Sequence, residues 1–137
     1  GNFISDETTE IPVCTVQRRP LIAEYMERHH KHTQTFVSLG AKPFIMLLAP
    51  PTDTELPSLD EARAFLFDGN AGFMLHIGTW HEFPFVILDD TDVLTILRAE
   101  ATNGLEVDNV IGNEAVSPDL EKCDMGARFG INIALQL

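Results

Sequence analysis

Only two cysteines, Cys14 and Cys123, occur in the 137 residues. That is too few for a disulfide framework or a zinc-thiolate site, and Cys14 reads as a small buried hydrophobe. Positive charge is scarce as well. Nine Lys and Arg stand against 21 Asp and Glu, a formal net charge of −12. A body this acidic repels phosphate backbones and anionic lipid, so neither nucleic acid nor a membrane is an expected partner. No apolar run approaches the roughly 20 residues needed to span a bilayer. The chain opens on polar residues with no secretory apolar stretch, which makes a reducing cytoplasm the expected compartment. There is no internal repeat, no phosphate-cradling glycine loop and no nucleophile elbow.

What is present reads mostly as strand. Residues 11–17 (IPVCTVQ), 35–39 (TFVSL), 43–49 (PFIMLLA), 62–66 (ARAFL), 72–76 (GFMLH), 83–88 (FPFVIL) and 92–97 (DVLTIL) are short, apolar or alternating, and bounded by Gly, Pro or Asp. Short, evenly spaced strands pack as an antiparallel barrel or sandwich. The length fits one domain over residues 1–137. Helix signals are weak: residues 59–64 (LDEARA) offer one turn, and residues 20–28 mix periods. The acidic stretch 106–124 reads as a solvated loop. Residues 129–137 read as a strand returning to a sheet. Asp89-Asp90 reads as a turn, since adjacent strand residues point apart and Asp favours turns.

All five histidines fall in two clusters, His29-His30-Lys31-His32 and His76 through His81. Each borders a predicted strand, so both can face one barrel mouth, where such folds bind ligands. Glu27 and His29 lie two apart and share a face on an extended strand. The pattern resembles the two-part metal motif of cupins, H-x-H-x(3,4)-E followed by G-x(5)-P-x-G-x(2)-H. Glu27 stands at the first His, His29 at the second and Gln34 at the Glu, and His76-x-Gly78-x-x-His81 ends the second part. One divalent metal held by Glu27, His29, Gln34 and His81 is one expectation; no required cofactor is the other.

A closer resemblance covers residues 11–98. ERHHKHTQTF, PFIMLLAPP, ARAFLFDGNAGFMLHIGTWH and TDVLTILR together resemble the ureidoglycolate lyase family, through E-R-H-x(4)-Q, G-x-x-G-x-x-x-H-x-x-x-W-H and the paired prolines. The resemblance implies an all-β, cupin-like antiparallel β-barrel of the double-stranded β-helix type with few short helices, assembled as a homodimer. It also implies an enzyme of purine-ureide (allantoin) catabolism that splits ureidoglycolate into glyoxylate and urea. Glu27, Arg28, His29, Gln34, Gly72, His76, Trp80 and His81 match the motif. Met74, Leu75 and Ile77 depart from it, as does Leu97-Arg98-Ala99-Glu100, and these changes make the surroundings of His76 more apolar.

Lysis of such a carbinolamide needs a base for the hydroxyl proton, an acid for the leaving nitrogen and donors for the carboxylate. His81 and Glu27 are candidate bases and His76 the candidate acid. Arg28 or Lys31 is the candidate carboxylate clamp, because a cation fixes an anion and the Arg fork binds both oxygens. His29, Gln34 and Trp80 are expected to contact substrate. His30, Lys31 and His32 read as exposed bend residues, and the Phe at 65, 67, 83 and 85 as core or interface. Two rival functions remain open at this level. One is a metal-dependent cupin isomerase or dioxygenase acting on another small hydroxy acid. The other is a non-enzymatic module that binds a small acid.

Overall fold

The computed structural model describes residues 1–99 and 113–137. In chain order the strands are β1 (Thr9–Glu10), β2 (Val13–Val16), β3 (Ile22–Ala23), β4 (Tyr25–His29), β5 (Gln34–Ser38), β6 (Phe44–Ala49) and β7 (Arg63–Phe67). They continue with β8 (Phe73–Leu75), β9 (Trp80–His81), β10 (Phe85–Val86), β11 (Thr91–Arg98), β12 (Ala115–Val116), β13 (Leu120–Asp124) and β14 (Ile133–Ala134). Helix among the described residues is confined to two 3-10 turns, Leu39–Ala41 and Leu59–Glu61, and the short helix Met125–Phe129. The all-β expectation therefore holds.

Among the described residues every strand pair is antiparallel. One sheet runs β1-β11-β5-β8, with β2 also on β11. The other runs β10-β6-β9-β4-β13-β12, with β7 on the far side of β6. The two sheets meet face to face: Phe36, Leu75 and Val93 of the first pack with Phe44, Met46 and Val86 of the second. The larger sheet is covered on its outer face too. There Ala23, Met26, Ile45, Leu47, Ala49, Trp80, Phe85 and Cys123 form a second core, closed by Met125 and Leu135 from the C-terminal segment. This explains why β6 reads FIMLLA, with no polar residue. Burial on both faces calls for a continuous apolar run rather than alternation.

Three sequence expectations change here. The acidic stretch is not all solvated loop. Within its described part β13 pairs along the whole of β4, and Asp119, Leu120 and Cys123 are buried; its positions 106–112 lie outside the described residues. Cys14 is exposed, because β2 lies along β11 at the sheet's margin; Cys123 is the buried thiol. The closing segment begins as helix, with Gly130 in the left-handed region at φ 68° as its cap, before β14 pairs with β3. Residues 20–28, which carry no clear period, contain β4, a central strand.

Candidate functional site

β4 sets the site by alternation. Tyr25, Glu27 and His29 face the space between the sheets, while Met26 and Arg28 face the outer core. Register then brings the second histidine cluster in, since His81 of β9 lies directly opposite Glu27. The connection before β9 is held by Gly78, whose φ of 82° favours glycine and whose N–H donates to the His29 carbonyl at 2.8 Å. The rings of His29 and His81 stand 5.5 Å apart, and Phe36 of the opposite sheet packs its edge 6.0 Å from His81. His81 Nε2 lies 3.6 Å from Glu27 Oε1. The two sequence-distant patches thus meet inside the fold.

His29 and His81 are anchored through Nδ1. His29 Nδ1 lies 3.1 Å from Asp119 Oδ2, and His81 Nδ1 lies 3.1 Å from the Thr79 carbonyl. His32 Nδ1 stands 3.0 Å from the same Asp119 oxygen, and its ring centroid is 4.4 Å from that of His29. A carbonyl can only accept, so His81 carries its proton on Nδ1 and presents a bare Nε2. Among the described residues, the buried Nε2 atoms of His29, His32 and His81, the Nδ1 of His32 and the Oε1 of Gln34 have no hydrogen-bond partner. Buried polar atoms are normally satisfied, so these atoms are free to bond a ligand or water.

Burial and charge divide the group. Burial pushes His81 down to about 4 and lowers His29 despite its Asp119 contact. Burial also raises the Glu27 carboxyl, with the charges of His29 and Lys122 opposing it. Burial would raise Asp119, but its contacts with His29 and His32 outweigh that and hold it far below the usual carboxylate range. Glu27 keeps 19% of its side chain open, whereas His81 keeps 1%. The cluster therefore opens to solvent on the Glu27 side.

Glu27, His29 and His81 offer ligand atoms that all lie within 4.8 Å of one another. Two neutral imidazoles and a carboxylate suit a divalent ion of the first transition row. The Asp119–His29 contact matches the outer-shell support such ligands usually have.

Other expected residues lie elsewhere. Arg28 sits on the outer face. Its Nε donates to Glu121 at 2.7 Å, Nη1 to the Thr52 carbonyl at 2.7 Å and Nη2 to the Thr54 carbonyl at 2.8 Å. Its guanidinium also covers the Trp80 ring at 4.4 Å. So engaged, it pins the 52–56 loop and has no fork left for a substrate. Trp80 is fully buried in the outer core, with Nε1 donating to Thr52 Oγ1 at 2.9 Å. His76 is exposed in the turn before β9. Lys31 is part-exposed beside Asp6, and His30 is exposed against Glu121. Gln34 sits on the inward side of β5 with Phe36. Leu75 lies directly opposite Gln34 in the inward-facing core, while Ile77 is exposed.

His32, expected as an exposed bend residue, is instead buried and bridged to Ser5, and Asp119, expected in a solvated acidic loop, is buried beside it. Replacing Asp119 by Asn removes the charged acceptor of His29 Nδ1. The expected result is loss of the fixed His29 tautomer in 15N ring NMR and a fall in activity of about 10- to 100-fold.

A family model described as Ureidoglycolate lyase matches residues 5–119. The chain belongs to the ureidoglycolate lyase family. A ureidoglycolate lyase of Azotobacter vinelandii is 38% identical over 82 residues, covering 60% of this chain and 48% of that protein. Those of Pseudomonas aeruginosa (strain PAO1) and Salmonella newport are 34% identical over 87 residues and 33% over 84. They cover 64% and 61% of this chain, and 50% and 51% of those proteins. The chain thus spans about half the length of the curated relatives it matches. Membership of the family agrees with the all-β, cupin-like architecture.

Proposed function

We propose that this protein splits ureidoglycolate into glyoxylate and urea by acid–base elimination. The observation that supports it best is the pairing of Glu27 with His81 across β4 and β9, in a family whose relatives carry that name. The hydroxyl proton leaves as the carbonyl forms. The carbon–nitrogen bond breaks with its electrons on nitrogen, and a proton is delivered there. Environments that push two titratable groups apart mark the acid and the base. Burial drives Glu27 toward its protonated form and His81 toward its neutral form. His81 Nε2 then takes the hydroxyl proton, and Glu27 gives one to the leaving nitrogen. The proton returns across the 3.6 Å between them, which resets the pair. His29 Nε2 and Gln34 Oε1 accept from the ureido N–H groups. His76, exposed in its turn, takes no part.

The same side chains suit a divalent ion, which would supply Lewis-acid polarisation of the hydroxyl. Metal analysis of the native protein, repeated on His29→Ala, shows whether they hold a metal or handle protons directly. The chain works as a single cupin-like domain, as a cytoplasmic homodimer in purine-ureide breakdown. Phe65 and Leu66, exposed at 47% and 64% on β7, are the apolar surface that supports a dimer contact. Among the described residues no helix is long and apolar enough to cross a membrane.

The test is release of urea and glyoxylate from ureidoglycolate by the purified, folded protein. No turnover at millimolar substrate overturns the assignment. Calorimetric binding of the substrate without turnover would favour a small-acid-binding module instead.

A further inference from the structure

The cluster described above holds no cation: it brings together imidazoles with bare Nε2 atoms, the Glu27 carboxyl and the Gln34 amide. Such a set lacks a group to hold a small carboxylate, and the chain's charge of −12 opposes the arrival of one. The cations expected to do this are committed elsewhere. Arg28 is spent on the outer face and Lys31 stands beside Asp6. Arg19 is tied to Glu82 and the Phe83 carbonyl, and Arg98 to Asp6.

Register points to a different residue. Lys122 of β13 lies directly opposite Glu27 of β4, which lies directly opposite His81 of β9. Directly opposed residues in antiparallel strands share a face, with Cβ atoms about 4.5–5.5 Å apart. A row therefore crosses three strands as ammonium, carboxyl and imidazole. The Lys122 Nζ lies 4.1 Å from the centroid of the Tyr25 ring, on the same inward side. Tyr25 itself is fixed by the Phe83 N–H, which donates to its hydroxyl at 3.4 Å. Among the described residues no carboxylate stands within ion-pair distance of that ammonium, so its charge is not already spent. It flanks the open, Glu27 side of the cluster, where a ligand enters. Lys122 also lies beyond the residues that the family model matches.

We infer that Lys122, steered by the Tyr25 ring, is the anion clamp of this site and selects small α-hydroxy or α-oxo carboxylates over their neutral counterparts. The inference rests on the proposed lyase reading for the position of the reacting carbon. It deepens that reading by naming what holds the carboxylate. A carboxylate beside Nζ would place the carbon that bears the hydroxyl near Glu27 and His81, the next members of the row.

The test is calorimetric binding of glyoxylate, an anion, and of hydroxymethylurea, a neutral carbinolamide, to the native protein and to Lys122→Met and Lys122→Arg. Met keeps the stem over Tyr25; Lys122→Gln serves as the second variant if Met proves unstable. Loss of a charge-assisted contact should weaken glyoxylate binding by about 10- to 100-fold in Lys122→Met. Lys122→Arg should restore it to within about threefold. Hydroxymethylurea binding should move less than about threefold throughout, which a merely structural lysine would not produce. Equal loss for both ligands, unchanged glyoxylate binding in Lys122→Met, or no glyoxylate binding by the native protein overturns the clamp. Glyoxylate binding that depends on Lys122, in a protein that releases no urea from ureidoglycolate, would keep the clamp and remove the lyase reading.

Discussion

Replacing His81 by alanine is expected to slow urea release from ureidoglycolate by roughly 10²- to 10⁴-fold, the usual worth of a positioned acid or base. The fold should survive. His81 is buried, yet its Nε2 has no protein partner, so alanine removes an unsatisfied atom along with the ring. Stopped assays of urea, with circular dichroism to confirm folding, read both outcomes. The pH dependence adds a second signature. Burial holds His81 at about 4, so the base stays neutral through the physiological range and activity should persist well below pH 6.5. Its acid limb should fall near pH 4, while loss of the Glu27 proton sets the alkaline limb; both limbs belong to the coupled pair. Stability follows the same group. The unfolded chain protonates this histidine near 6.5 and the native one only near 4. The native state therefore loses ground as pH falls from 6.5 to 4, by roughly 3 kcal/mol. His81→Ala should flatten that slope in denaturant titrations run at several pH values. An unaltered rate in a folded His81→Ala protein would remove this residue from the chemistry.

The sequence made parts of this arrangement readable for definite reasons. β5, β6 and β11 carry dense apolar or alternating residues between turn formers, and each is a strand within a residue or two of its expected bounds. Glu27 and His29 share a face because strand side chains repeat every two residues. That rule also places Arg28 on the opposite side, even though it matches the motif beside them. Position in a motif records which residues recur together and says little about which way they point. β4 itself was illegible because its outward positions hold Met26 and a buried Arg, and its inward ones Tyr25, Glu27 and His29. A ligand-facing strand thus loses the apolar–polar alternation that would reveal it. β13 was hidden in the same way, with Lys122 inward and Cys123 outward among acidic neighbours. His32 and Asp119 depend on each other across a sequence separation of 87 residues, so local context could mark neither. The residues hardest to read were those whose polarity serves the site rather than the core.

Trp80 supplies the opposite test, because it adjoins His81 in the chain and faces the other way. Trp80→Ala should destabilise the protein by roughly 3–5 kcal/mol, a large share of the 5–15 kcal/mol that holds a typical domain together. Three losses combine. The fully buried indole leaves a cavity in the outer core it shares with Met26, Leu47 and Ala49. Thr52 Oγ1 loses its indole donor. Arg28, itself buried, loses the ring beneath its guanidinium while remaining tied to Glu121 and the 52–56 loop. Since this is the sole tryptophan, urea titrations must follow far-UV circular dichroism rather than indole fluorescence. Trp80→Phe refills most of the cavity without restoring the N–H, so its cost should fall well below that of alanine. Because the ring sits behind the sheet, Trp80→Phe should leave KM for ureidoglycolate within about threefold of native. A stable Trp80→Phe protein with a KM raised tenfold or more would instead put the indole at the ligand, and would reverse the two faces on which this reading of β9 depends.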